Sequence, residues 1–98
     1  MADGCLERSG DHELKLSGSL KFSNIMVLRS ALESELGTMH SPVLVDFSEV
    51  SAVDSSALSL WCCCLRKASV QNLEIHPVNV PGDLRSIAEL VGLEAYFS

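Results

Sequence analysis

Val53-Asp54-Ser55-Ser56-Ala57-Leu58 joins two segments of different character. Before it stands Val43-Leu44-Val45-Asp46-Phe47, apolar and of strand length. After it stands Leu58-Ser59-Leu60-Trp61-Cys62-Cys63-Cys64-Leu65, of helix length and almost without charge. A strand that enters a helix through a carboxylate and two hydroxyls sets those groups at the helix start. There the backbone N–H groups lack intrahelical partners and the dipole presents its positive end. Such a hinge can serve as a cap, an anion site, a phosphorylation site or a docking surface.

The flanking sequence extends this unit in both directions. Leu14-Lys15-Leu16-Ser17-Gly18-Ser19-Leu20 alternates with period two, the pattern of a half-buried strand. Cys5 to Arg8 offers a short partner strand, with Ser9-Gly10-Asp11 as the turn. Ser23 is the expected N-cap of a first helix. Ile25, Leu28, Leu32 and Leu36 fall on one face of that helix, and Gly37 is its expected end. The helix after the hinge begins near Ser55 or Ser56 and fades near Val70. Leu73-Glu74-Ile75-His76-Pro77-Val78 reads as a further strand, at an edge or ending at Pro77. Pro81-Gly82-Asp83 opens a third helix with Leu84, Ile87, Ala88 and Val91 inward. Gly92 stops it, and Leu93, Tyr96 and Phe97 are expected to cover the core. Helices alternate with the later strands, so right-handed crossovers onto a partly parallel sheet follow. The expected fold is α/β, with a small mixed sheet of about four strands and three or more helices.

Ninety-eight residues suffice for one small domain, expected to span residues 1–98. The net charge of −6 weighs against nucleic acid and against direct attraction to anionic lipid. No apolar run reaches the roughly 20 residues of a membrane span, and Met1 to Gly10 lacks a signal-peptide core. A cytoplasmic protein is expected. Cys62, Cys63 and Cys64 are consecutive on a helix and cannot bridge one another without strain. With no Cys/His ligand spacing, they read as small apolar residues, and neither metal nor cofactor is expected.

At about 100° per residue, Ala57, Leu58, Trp61, Cys64, Leu65 and Ala68 share the sheet-facing side of the middle helix. The opposite side carries Ser55, Ser56, Ser59, Cys63 and Arg66, flanked by Leu60, Cys62 and Lys67. Two turns of small, nearly neutral residues suit close approach by another backbone, so this side reads as a docking face. A modestly apolar exposed surface, or cover by the chain's own tail, would produce the same pattern. Asp54 favours the positive helix end, and Ser55 or Ser56 can cap it, a contribution of about 1 kcal/mol. A phosphate on Ser55 would add about −1.5 to −2 charges beside Asp54 and block a partner. Ser55 or Ser56 with His76 and Asp46 would be a nucleophile set. However, the Gly-x-Ser-x-Gly elbow is absent, as is a Gly-rich phosphate loop, and no enzyme is expected.

These segments in this order resemble the STAS domain. The resemblance rests on Leu16-Ser17-Gly18-Ser19-Leu20, Val45-Asp46-Phe47-Ser48-Glu49-Val50, the Val53 to Leu58 hinge, and Val80-Pro81-Gly82-Asp83-Leu84 through Gly92-Leu93. In the anti-sigma factor antagonists of this family, the hydroxyl residue after the Asp is phosphorylated by the anti-sigma factor kinase. That position is Ser55. Those proteins usually continue with Gly-Leu-Gly, whereas this chain has Ala57-Leu58-Ser59. That continuation is more similar to the MlaB-like subgroup, cytoplasmic accessory subunits of an ABC transporter that moves phospholipid between membranes of Gram-negative bacteria. The resemblance implies a partner-binding patch of Asp54, Ser55, Ser56, Ser59, Cys63 and Arg66. Its partner would be the ATPase subunit, reached at the inner face of the inner membrane with no direct membrane contact. The alternative it implies is an antagonist switched by phosphorylation of Ser55.

Overall fold

The structure, a computed structural model, describes residues 4–97. Residues 1–3, where the reading for a leader begins, and residue 98 lie outside the described residues. In chain order the elements are β1 (Cys5–Arg8), β2 (Glu13–Leu20), α1 (Ile25–Leu36), β3 (Val43–Val53), α2 (Ser55–Val70), β4 (Ile75–Val78) and α3 (Gly82–Leu90), then a 3-10 turn at Glu94–Phe97. The four strands form one sheet in the order β1-β2-β3-β4. The first pair is antiparallel and the other two are parallel, which is the mixed sheet expected. Both crossovers, through α1 and α2, step the same way along the sheet. Right-handed connections therefore put both helices on one face, where α1 packs beside α2 and α2 beside α3.

Burial alternates along the strands accordingly. Leu14, Leu16, Val43, Val45, Phe47 and Ile75 are buried under the helices. Glu13, Leu44 and His76, which share a register row, are exposed on the other face. One side of the sheet is thus core and the other is solvated, as antiparallel-edged sheets commonly are.

β3 runs to Val53, well past the apolar segment that ends at Phe47. The pairing of β2 with β3 shifts twice, between Lys15 and Ser17 and between Gly18 and Ser19, and each shift leaves one extra residue on β3. Gly18 sits at the second shift with φ of 76°, a conformation that glycine adopts without penalty. The inward residues of β3 are therefore Val43, Val45, Phe47, Val50 and Val53, with spacings that lengthen from two to three. The bulges break the period-two pattern and carry the strand on to deliver Asp54 to the start of α2.

Helix ends depart from expectation in detail. Asn24, not Ser23, is the N-cap residue of α1, and its side chain makes no cap bond. Instead its Oδ1 accepts from Lys21 N–H at 3.1 Å and its Nδ2 donates to the Ser19 carbonyl at 2.8 Å, closing the β2–α1 loop. Gly37 does end α1, but in a right-handed conformation. Leu28, Leu32 and Leu36 are buried and Ile25 half-buried. In α3, Leu84 and Ala88 are buried and Ile87 half-buried, whereas Val91 is 59% exposed because the helix has already ended at Leu90.

The last turn closes the core with aromatic rings. Phe97 is buried and stacks on Trp61 at 5.8 Å, and both meet Phe47 edge-on, at 5.7 Å from Trp61 and 6.5 Å from Phe97. Trp61 Nε1 donates to the Tyr96 carbonyl at 2.7 Å, so the buried indole N–H is satisfied. The Tyr96 ring itself stays outside, 51% exposed, a correction to its expected place in the core.

Candidate functional site

The carboxyl ends of β2 and β3 lie side by side, tied by Asp54 N–H donating to the Leu20 carbonyl at 3.2 Å. The β2–α1 loop and the β3–α2 hinge are consequently neighbours at that edge, the usual place for sites in such sheets. Asp54 is the N-cap of α2. Its Oδ1 accepts from Ser56 N–H at 2.8 Å, and its Oδ2 accepts from Phe22 N–H at 3.1 Å. One carboxylate thus caps a helix and pins a loop. Partial burial pushes this carboxyl up, but the amides of Phe22 and Ser56, with the Ser56 hydroxyl and the charge of Lys21, outweigh it and hold the group below its usual value.

With Asp54 doing the capping, neither serine is needed for it, which corrects the expectation that Ser55 or Ser56 caps. Ser55 is the first residue of α2, is exposed, and makes no side-chain hydrogen bond with the described residues. Ser56 is half-buried. Ser59 and Arg66 are exposed and Cys63 is half-buried. Spaced at i, i+4, i+8 and i+11 from Ser55, the residues Ser59, Cys63 and Arg66 form a stripe along the outer side of α2. All six residues of the expected patch therefore lie at or along this helix.

Leu60 is a correction: expected beside the outer face, it is buried. It lies on the flank of α2 between the sheet-facing arc and the outer stripe, and the packing of α1 beside α2 widens the buried arc to include it. Leu65, expected inward, is half-buried. Cys64 is buried, and desolvation pushes its thiol up to about 12, so it is inert at neutral pH. Cys62 is half-buried, with its thiol also raised, chiefly by burial. None of these three cysteines is in a disulfide.

The nucleophile set imagined from Ser55, His76 and Asp46 is not brought together. Asp46 stands eight residues before Asp54 on β3, roughly 25 Å away along a strand. It is occupied by Ser48 N–H at 2.8 Å and Asn79 Nδ2 at 3.1 Å. His76 contacts Glu74 at 3.0 Å on β4. Among the described residues, no group of three or more His, Cys, Asp or Glu is arranged to hold a metal ion. No helix among them is long and apolar enough to cross a membrane.

Phe22 and Met26 were missed by sequence reading. Phe22, in the loop pinned by Asp54, is 81% exposed, and Met26, in the first turn of α1, is 67% exposed. The signal was present: Phe22 is a large apolar residue in a Lys-Phe-Ser loop, and Met26 lies off the stripe of Ile25, Leu28, Leu32 and Leu36.

Two kinds of comparison find relatives. The family model described as MlaB, STAS domain, matches residues 5–97. No curated protein matches the sequence. Among solved structures, the anti-sigma factor antagonist SpoIIAA in its unphosphorylated form is similar with a TM-score of 0.76 and 16% identity, covering 98% of this chain and 86% of that one. The Bacillus cell fate determinant SpoIIAA in its phosphorylated form gives 0.72 and 17%, covering 98% and 89%. At such identities the likeness is one of fold. The family model spans nearly the whole described chain: this chain belongs to the STAS domain family.

Proposed function

We propose that this chain is a non-catalytic accessory subunit of an ABC transporter for intermembrane phospholipid transport. It docks on the ATPase through Asp54-Ser55-Ser56 and the outer stripe of α2. The observation that carries this reading is the division of labour at the hinge. Asp54 alone caps α2 and pins the β2–α1 loop, which leaves the Ser55 hydroxyl exposed on a stripe of small residues. Exposed helix surfaces are commonly charged, and this one carries no charge from Ser55 to Leu65. The family model that matches is the one described as MlaB, which supports the transporter among the family's uses. The subunit would act by preferring one assembly or conformational state of the ATPase, in the cytoplasm at the membrane's inner face, held there by its partner.

A second reading has its own observation. Ser55 is exposed at the first position of a sixteen-residue helix, where a phosphate would meet the positive dipole end. On that reading the chain is an anti-sigma factor antagonist and a kinase modifies Ser55. One experiment separates the two: affinity capture from the native cell, with mass spectrometry of partners and of Ser55. The ATPase of a phospholipid transporter with unmodified Ser55 supports the first. An anti-sigma factor kinase with phosphate on Ser55 supports the second.

A further inference from the structure

We infer that the docking surface is a groove between α1 and α2 built for an amphipathic segment of the partner that carries apolar anchors at one end and carboxylates at the other. The inference rests on the ATPase reading above and gives it a partner chemistry. Arg29 and Glu33 of α1 face Cys63, Arg66, Lys67 and Val70 of α2 across this groove. The chain has a net charge of −6, yet three of its seven Lys and Arg line this one feature. Glu33 is already engaged by Arg29 at 3.5 Å, and Arg66 and Lys67 form no ion pair with the described residues. Exposed Arg66 and half-buried Lys67, with exposed Val70 beside them, leave two cations at this groove of an otherwise acidic protein, which selects for a carboxylate-bearing partner.

Beyond the groove, toward the start of both helices, the surface is apolar. Met26 precedes Arg29 by three residues and Glu33 by seven, so all three share one flank of α1. The main-chain bond from Phe22 to Asp54 places Phe22 beside the hinge at the start of α2. Phe22 and Met26, both largely exposed, thus stand near the start of α2, at the end remote from Arg66 and Lys67. The surface runs from apolar through small and neutral to basic. A segment laid along it meets an anchor site, a close-approach site and a charge site in that order, as helix-in-groove partners require. The stripe of α2 alone offers only the last two.

The test uses the full chain and the purified ATPase subunit of the same organism's phospholipid transporter, titrated by calorimetry at two salt concentrations. Phe22→Ser with Met26→Ser, and separately Arg66→Glu with Lys67→Glu, are each expected to weaken binding by at least about tenfold. The wild-type affinity should fall with salt, and that dependence should reverse in sign in the charge-reversed variant. Melting temperatures check that the variants remain folded. A wild type that binds while both double variants bind equally well overturns the groove and leaves the ATPase reading standing, provided Ser55→Glu still disrupts binding. A wild type that does not bind the ATPase overturns both. Vesicles containing phosphatidylglycerol serve as the competing occupant: flotation with them that depends on Arg66 and Lys67, with no charge effect on the ATPase, assigns the basic end to lipid and overturns the proposal.

Discussion

Removing the Asp54 carboxylate should loosen two elements at once, and the structure gives the size of the effect. Asp54→Ala deletes the acceptor for Ser56 N–H at 2.8 Å and for Phe22 N–H at 3.1 Å. Loss of an N-cap of this kind costs about 1 kcal/mol. The Phe22 amide is near solvent and water replaces part of its bond, so the second loss is about 0.5 kcal/mol. The sum of about 1.5 kcal/mol corresponds to a drop in melting temperature of roughly 6–12 °C for a domain of this size. Asp54→Asn keeps a capping oxygen but turns an NH2 toward one of the amides, so it should fall between wild type and alanine. The sign with pH also follows. The folded carboxyl lies below its usual value, so its contribution is complete above the unfolded pKa of about 3.9 and is lost as pH falls through the lower folded value. The gap between wild type and Asp54→Asn should be constant from neutral pH down to about 5 and close in stronger acid. Urea denaturation followed by circular dichroism at several pH values measures it. Equal midpoints for wild type and Asp54→Ala at neutral pH, or a gap that persists unchanged at low pH, would refute the argument.

Other outcomes are open to simple measurement. Phe97→Ala should cost about 3–4 kcal/mol by emptying the space beside Trp61 and Phe47. It should also shift the emission of the single tryptophan to the red, so a native spectrum with an unchanged midpoint would count against the aromatic lid. Cys64 should resist a thiol reagent at pH 8 until the protein unfolds. Because its folded pKa is raised to about 12, its contribution to stability is full below the ordinary thiol value and declines as pH rises between the two. Fast labelling of Cys64 in native protein, located by peptide mapping, would contradict its burial. Ser55→Glu should leave the melting temperature within about 1 °C of wild type, since a carboxylate at a helix start is favoured by the dipole and offsets its proximity to Asp54. A large destabilisation would show that Ser55 has structural work of its own.

The order of elements was readable because each carries its own period: Leu14 and Leu16 alternate, Leu28, Leu32 and Leu36 recur at helical spacing, and Asp54 with its serines marks the junction. The extent of β3 was not readable, because two bulges change the spacing of Val45, Phe47, Val50 and Val53. The burial of Leu60 and the exposure of Tyr96 depend on how α1 and the final turn pack, which the local pattern does not record. The site divided similarly. The outer stripe of α2 follows from helical geometry, whereas the six patch residues are implied by the resemblance; they stand at the N-cap of α2 or along it. The cap bond of Asp54 to Ser56 is local, but its second bond, to Phe22 across thirty-two residues of sequence, is tertiary and leaves no local pattern. Phe22 and Met26 become part of the surface for the same reason: tertiary pairing of β2 with β3 brings their loop to the hinge.

We place the exposed Ser55 hydroxyl in a protein-docking face. The most direct test of that placement is the affinity of the purified transporter ATPase for wild type and for Ser55→Glu, with melting temperatures recorded beside it. Wild type is expected to bind tightly, and the folded variant to lose at least about tenfold in affinity. Equal affinity for the two would contradict the placement, as would a wild type that ignores the ATPase and instead takes stoichiometric phosphate on Ser55 from an anti-sigma factor kinase.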